Sequence, residues 1–508
     1  MITYLYHLEM GIIQKDALRT TILSYIGIGI GTLNRAVLFV ICLSTEQIGL
    51  INLVVAVGLL FAQMSNFGSI PSVLKFFPYF KNPEKRHFGF IRFLLQYLFI
   101  GIIVCLILFF LFKPFIQSLY LDRSPLFVSY YIWVLPIGIS YAIFQFFDAF
   151  LRSLHKNILS VFVFEVVLRL VITALLLLVY YNIIEFHVFV ILNSLVYIVP
   201  TLLLIIYLFR LGEFNFSAQK VSISRKYKNI IFNYSAYNYV NSLGVILVTT
   251  LDIMMIAQLI GLSETGVYST VFFLVSATLI PFKSIIKIST PIVSEHWKFN
   301  RMNEMEELYQ KVSSVSLLIG CFFFLIIWLN VDFLFAIPGE DFKSGIWVFF
   351  FLMVGRLTDM YCGINGLIFT TSKKYKYEIY FTAIMILLVY SLNLILIPKY
   401  GIVGAAISTS IAIILYNFAR VFFIRKVYKI NPFTKKQSLI LLIGLVAYAI
   451  GKIVTLFMLP GILLFFTESL IVLLFFLLPI YFLKIENESV DYLDKIVFQL
   501  KKRLFQNK

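Results

Sequence analysis

The sequence predicts an all-α integral membrane protein of about 14 transmembrane helices: two six-helix lobes related by a parallel pseudo-two-fold repeat, plus two C-terminal helices. Three observations predict it. Of 508 residues, 61% are hydrophobic and 13% charged, with a mean hydropathy of +0.95; a soluble domain is about 45–50% apolar and about 25% charged. Apolar runs of about twenty residues, the length that crosses a ~30 Å hydrocarbon core as a helix, recur along the chain. The basic residues alternate: of 42 Lys and Arg, 34 fall on one set of loops, the span ends beside those loops and the termini. Four fall on the other set (Lys113, Arg123, Lys343, Lys399) and four inside apolar runs (Arg35, Arg169, Arg356, Lys452). That asymmetry calls for an even number of spans with both ends inside. It also assigns the net charge of +17 to topology and anionic headgroups, not to nucleic acid.

Residues 1–19 are a cytoplasmic lead, in which Met10 is a second candidate initiator. The apolar run at 20–42 is too long for a signal core and lacks a small-residue cleavage site, so it reads as the first span. Spans at 48–68, 91–112, 126–149, 158–181 and 186–209 complete a first lobe, 20–210. The segment SIPSVLKFFPYF (Ser69–Phe80) contains Pro71 and Pro78 and reads as a broken, interfacial continuation of the second span. A basic cytoplasmic linker, 211–229, leads to a second lobe, 230–424, with spans at 230–260, 265–288, 312–336, 345–371, 377–398 and 401–424. Spans at 437–459 and 461–483 make the additional pair, 437–483. In the cytoplasmic tail, 484–508, apolar residues at Val490, Leu493, Val497, Leu500 and Leu504 lay an amphipathic basic helix on the inner leaflet.

Little here suits an enzyme. Cys42, Cys105, Cys321 and Cys362 sit in or beside apolar runs without a CxxC pair, and the five histidines are scattered without metal-ligand spacing. Phosphate loops of the Walker type are missing. The outward loops are short, where a membrane-embedded polymerase or ligase needs room for catalytic carboxylates or histidines.

The chain repeats itself. RAVLFVICLSTEQIGLI (Arg35–Ile51) and DIMMIAQLIGLSETGVYS (Asp252–Ser269) each carry a charge, a mostly apolar stretch, a polar hinge with a glutamate, and a glycine opening the next helix. Aligning Gly49 with Gly266 sets Arg35 opposite Asp252 without a gap. Both charges then lie roughly 13 Å below the outer boundary, near mid-membrane, at about 1.5 Å of rise per residue.

The runs LILIPKYGIVGAAISTSIA (Leu394–Ala412) and GLSETGVYSTVFFLV (Gly261–Val275), with IIQKDALRTTILSYIGIGIG and FKSIIKISTPIVSEH, carry a family resemblance. They resemble the polysaccharide flippases of the multidrug/oligosaccharidyl-lipid/polysaccharide exporter superfamily, the Wzx-like O-antigen and capsule transporters. Members commonly follow the helix-seven aspartate with a basic residue; here Ile253 follows Asp252. The two extra helices resemble the polysaccharide and peptidoglycan-precursor branch. The resemblance implies a lipid-linked sugar as cargo, a groove for its polyprenyl tail on the extra helices, and alternating access between two rocking lobes.

A polyprenyl diphosphate needs cations on its path. Arg35 is the leading candidate, by its depth and its place in the repeat. Lys283 and Lys287, one turn apart, and Lys75 either meet the diphosphate or snorkel to inner headgroups. Glu165/Arg169 and Arg356/Asp359 stand at helical neighbour spacing and read as structural pairs, with Arg356 also a candidate cargo contact. Lys452 and Glu468 are placed to pair across the last hairpin. Asp148 reads as facing water. An aspartate at mid-membrane costs roughly 2.5–3.5 kcal/mol, so Asp252 either pairs with Arg35 or carries a coupling proton or sodium ion; Asp359 and Asn393 are its companions, with Asn34 and Asn241 nearby. Gly27, Gly29, Gly31, Gly401 and Gly404 permit close packing or bending.

The resulting expectation is a multi-pass flippase of the bacterial inner (plasma) membrane, both termini cytoplasmic. It carries undecaprenyl-diphosphate-linked oligosaccharide, an O-antigen, capsule or exopolysaccharide unit. No cofactor beyond a coupling Na+ or H+ is expected. Partners are membrane lipids and, downstream and upstream, a polysaccharide polymerase and glycosyltransferases, with no nucleic acid. The alternatives are a cation-coupled multidrug or small-molecule exporter of the same superfamily and a membrane-embedded polymerase or ligase. Genes beside this one for glycosyltransferases would favour polysaccharide.

Overall fold

Backbone amides buried in lipid must bond within their own segment, so a chain this apolar folds as helices. The computed structural model describes residues 19–82, 86–212, 223–337, 339–455 and 461–482, all helix and connection with no strand among them. The Met1-or-Met10 start, most of the basic linker and the amphipathic tail fall outside these residues.

Two compact units divide at Thr270/Val271. The first contains α1 (Arg19–Cys42), α2 (Thr45–Ser65), α3 (Ser69–Phe80), α4 (Phe90–Leu111), α5 (Val134–Ser153), α6 (Ile158–Tyr180), α7 (Phe186–Arg210) and α8 (Arg225–Leu259). The boundary falls inside α9 (Leu262–Thr278), so α8, which opens the second sequence lobe, clusters with unit 1. Unit 2 holds α10 (Ile280–Phe299), α11 (Met302–Leu329), α12 (Ile346–Tyr361), α13 (Asn365–Thr371), α14 (Glu378–Tyr428), α15 (Lys435–Thr455) and α16 (Ile462–Phe482).

Helix α2 is the centre of unit 1, with 72% of its apolar window buried. The polar hinge STEQ starts it: the Ser44 hydroxyl accepts from the Gln47 amide (3.3 Å), and the Gln47 side chain accepts from the Ser44 amide (3.0 Å). This reciprocal box satisfies two donors that a helix start leaves open. The prolines of Ser69–Phe80 do not break it; Pro71 sits in the first turn, where its missing N–H costs nothing, and Pro78 near the end. The break lies before it, at Gly68, whose φ of 77° suits glycine and whose absent side chain leaves room for the Ser235 carbonyl. Asn66 Oδ1 closes this turn by accepting from the Gly68 amide at 2.8 Å.

Apolar packing then fixes each unit. In unit 1, Phe77, Phe90, Leu94, Phe146 and Phe150, each fully buried, join α3, α4 and α5. In unit 2 one cluster joins α11, α15 and α16 around Leu325, Val472 and Phe476, and another joins α10, α11, α13 and α14 around Val293, Tyr309, Ile368 and Ile424.

Eleven described helices are long and apolar enough to cross a membrane, or thirteen if α9–α10 (bent 46°) and the Glu340–Tyr361 and Asn365–Thr371 pair (bent 55°) each count as one span. Helix α14 has 51 residues, at ~1.5 Å each more than twice a ~30 Å core. It turns at Gly401 (φ 62°, ψ −142°), and counting its two arms separately would give the fourteen expected from sequence. Gly401 therefore bends the chain, while Gly404 serves close approach: a Cβ there would lie 2.1 Å from the Leu396 carbonyl.

Candidate functional site

Arg35 sits on a π-helical turn of α1, Asn34–Leu38. Such turns widen a helix by one residue and re-aim its side chains. Glycines bring this face of α1 onto α6: a Cβ on Gly27 would lie 2.4 Å from the Glu165 carbonyl, and one on Gly31 3.2 Å from the Arg169 side chain. Gly29 has nothing within 4 Å and plays no such part. Asn34 locks the contact, donating to the Arg169 carbonyl (2.9 Å) and accepting from Thr173 (2.7 Å). From this support the Arg35 guanidinium donates to Asn52 Oδ1 on α2 at 3.0 Å, and the Asn52 amide donates to Ser269 Oγ at 2.8 Å.

Asp252, on α8, is 2% exposed. Its carboxylate accepts from the hydroxyl of the fully buried Tyr268 at 2.5 Å. The two charges equated by the repeat therefore connect to consecutive residues of α9: Arg35 through Asn52 to Ser269, Asp252 directly to Tyr268. Each reaches a residue 16 or 17 positions further along its own repeat. Helices α2 and α9 meet at equivalent positions as well. A Cβ on Gly49 would lie 1.8 Å from the Leu262 carbonyl, and one on Gly266 1.9 Å from the Thr45 carbonyl. Asn52 and Ser269, also 217 residues apart, hydrogen-bond each other.

In unit 2, Arg356 donates to Asp359 at 3.0 Å, the pairing its spacing predicts, and lies 6.0 Å from the Phe272 ring centroid. Asp359 also accepts from Asn417 at 2.6 Å, and Asn417 in turn accepts from Asn365 at 2.8 Å. Lys283 and Lys287 are exposed on α10, and Lys283 is close enough to Arg356 for the two charges to repel. Asn393 is fully buried in the first arm of α14. In unit 1, the Lys75 ammonium stands 3.8 Å from the Tyr234 ring centroid, a cation–π contact. The Asn241 side chain lies outside the described residues. Among those described, no three His, Cys, Asp or Glu side chains are grouped to hold a metal ion.

The profile described as "Polysaccharide biosynthesis protein" matches residues 13–297, more than half of the chain. The chain belongs to the polysaccharide biosynthesis protein family. The probable low-salt glycan biosynthesis flippase of Haloferax volcanii is 26% identical over 200 residues, covering 38% of this chain and 42% of that protein. A capsular polysaccharide biosynthesis protein of Staphylococcus aureus is 21% identical over 176 residues, covering 34% and 44%. The chain thus spans less than half the length of these curated relatives. The fold resembles the lipid II flippase MurJ in an inward closed conformation, at TM-score 0.72 and 14% identity over 94% of this chain and 99% of that one. It also resembles an inward-facing multidrug resistance transporter of the MATE family, at TM-score 0.60 and 14% identity over 80% and 94%. The polysaccharide family resemblance read from sequence therefore holds, and the likeness to these transporters is one of fold.

For this member of the polysaccharide biosynthesis family, sequence reasoning missed Asn52, Tyr268 and Ser269, although Asn52 and Ser269 stand at equivalent repeat positions. It also missed a buried triad in unit 2. Glu378 pairs with Arg420, whose Nε donates to Glu378 Oε2 at 3.3 Å, and the Tyr416 hydroxyl donates to Glu378 Oε1 at 2.8 Å. Arg420 falls four residues after Tyr416 inside an apolar run, which is the signal that was available. Asp148 is held by Arg152 and by the Ser160 hydroxyl, each at 2.5 Å, and does not simply face water. Glu165 and Arg169 pair at 2.5 Å as spaced, and Glu468, 1% exposed, lies within electrostatic reach of Lys452.

Proposed function

We propose that this protein is a flippase that moves an undecaprenyl-diphosphate-linked oligosaccharide from the cytoplasmic to the outer leaflet of a bacterial inner membrane by alternating access. One observation carries the reading: a half-buried arginine and a buried aspartate, equivalent in the repeat, are wired to adjacent residues of α9. Family membership and the likeness to superfamily transporters support it.

In this mechanism the diphosphate competes with the neutral Asn52 amide for Arg35, because phosphate brings an opposite charge and a second oxygen for a bidentate bond that the amide lacks. Its arrival frees Asn52 and with it Ser269. One residue away, a proton or sodium ion on Asp252 weakens the hold on Tyr268. Both events act on the same turn of α9, which couples cargo to ion. The equivalent positions of Gly49/Gly266 and Asn52/Ser269 support a local pseudo-two-fold at this contact. Lys283 and Arg356, alike in charge and near each other, form a second anion site, with Lys287 and Lys75 leading toward the inner headgroups. Asp359 and Asn393 serve the ion path, and both termini lie in the cytoplasm.

The test is a gene deletion complemented with wild type, Arg35→Ala and Asp252→Asn, read as surface polysaccharide and lipid-linked oligosaccharide. Wild type restores the surface polymer, while Arg35→Ala leaves lipid-linked units on the inner leaflet. Unchanged polysaccharide in the deletion, with altered sensitivity to toxic cations, would replace this reading by drug export.

A further inference from the structure

We propose that a cavity of about 320 Å³ within unit 1 is a binding site for an uncharged sugar, the glycan end of the cargo. This rests on the flippase reading above and assigns a separate place to the part of the cargo that carries no charge. The cavity lies among α2, α3, α5, α6 and α8, and its volume falls at the lower end of small-molecule sites, about 300–1,000 Å³, the scale of a mono- or disaccharide.

One wall is aromatic. The Tyr141, Phe144 and Phe164 rings lie nearly parallel, with centroids 4.9–6.4 Å apart and interplanar angles of 9–29°. A ring face carries partial negative charge. The C–H face of a pyranose is apolar and weakly positive, so the two are complementary. Phe164 and Glu165 stand on the π-helical turn Val163–Val167 of α6, and the widened turn presents them together.

The lining also holds neutral hydrogen-bonding groups: the amides of Gln63, Asn66 and Gln145, with Ser242. Asn66 is 1% exposed and uses its oxygen on the Gly68 amide, while its Nδ2 has no acceptor within the protein; the Gln145 side chain bonds to Tyr141, and its Oε1 has no donor within the protein. Leaving a buried polar atom unmatched costs about 1–3 kcal/mol. Hydroxyls, which donate and accept, answer both kinds of vacancy at once.

The charges at the cavity are already neutralised. Asp148 is bound by Arg152 and Ser160, and Glu165 by Arg169. A diphosphate placed here would face two carboxylates whose cations are committed, whereas a neutral polyol gains acceptors from those same carboxylates. Arg35 lies outside the cavity lining, so the anionic and neutral ends of one cargo have different receptors in the same unit.

The probe is the oligosaccharide released by mild acid from the lipid-linked pool of the deletion strain. It is titrated onto the full chain in phospholipid nanodiscs and read by saturation-transfer NMR. Binding to wild type is expected, weakened about tenfold or more by Gln145→Leu and by Phe144→Leu. It stays within about twofold in Arg35→Ala, which instead loses undecaprenyl diphosphate. Thermal melting within a few degrees of wild type confirms that each variant folds. Accumulated oligosaccharide that fails to bind, or binds the cavity variants as well as wild type, overturns the sugar site and leaves the flippase reading standing. A deletion strain with no such pool overturns the flippase reading and the sugar site with it.

Discussion

The Arg35 and Asp252 region of unit 1 and the ion-paired carboxylates of unit 2 hold their charges through different kinds of contact. In unit 2, carboxylates within the helices sit against cations: Asp359 with Arg356, Glu378 with Arg420, Glu468 near Lys452. In unit 1, Arg35 donates to an amide and Asp252 accepts from a phenol. An ion pair settles its desolvation cost locally and gains little by opening. The contrast teaches that ion pairs tie neighbouring turns and helices in both units, Asp148 and Glu165 of unit 1 included, whereas Arg35 and Asp252 also bond to an amide and a phenol.

The sharpest way to break this comparison is to remove one member of the unit 2 triad. Arg420→Ala strands the Glu378 carboxylate, and stability in detergent falls by about 3–5 kcal/mol; Glu378→Gln in the same chain recovers most of the loss. A melting temperature untouched by Arg420→Ala would deny the pair its structural role.

Gly49→Ala comes next, because the new Cβ would collide with the Leu262 carbonyl 1.8 Å away. Overpacking of this kind costs about 1–3 kcal/mol. Gly29→Ala, with nothing within 4 Å of its new Cβ, leaves stability unchanged or raises it by up to about 1 kcal/mol through helix propensity, and serves as the matched control.

Tyr268→Phe removes the hydroxyl that Asp252 accepts from, at a cost of about 1.5–3 kcal/mol for a bond to a charged group if the carboxylate stays ionised. Its diagnostic effect is functional: the ion dependence of transport shifts while fold, read by melting and monodispersity, is retained. Equal ion dependence in wild type and variant would move Asp252 to the structural side. Smallest of all is Lys287→Gln, exposed on α10. Transport within about twofold of wild type supports snorkelling, and a tenfold loss would add Lys287 to the diphosphate path.

Which elements were legible follows from the range of the forces involved. Hydropathy marked the helices because lipid solvates each span by itself, and helical spacing marked Glu165/Arg169 and Arg356/Asp359 because i, i+3 and i, i+4 neighbours share a face. Glu378 and Arg420 escaped notice because 42 residues and the Gly401 turn separate them. Pro71 and Pro78 misled for a similar reason: proline rules speak of position within a helix, and the break was set by Gly68 against the Ser235 backbone.

By itself the sequence determined the fold class, the family resemblance and the equivalence of Arg35 with Asp252, since all three follow from local apolarity and from a repeat readable along the chain. Only the tertiary structure decided what those charges touch. Asn52, Tyr268 and Ser269 become partners through the close meeting of α2 and α9 at Gly49 and Gly266. The aromatic rings and amides that line the unit 1 cavity come from several different helices. A hydrogen bond is directional and acts over about 3 Å, so its partner is fixed by helix packing and by no pattern along the chain.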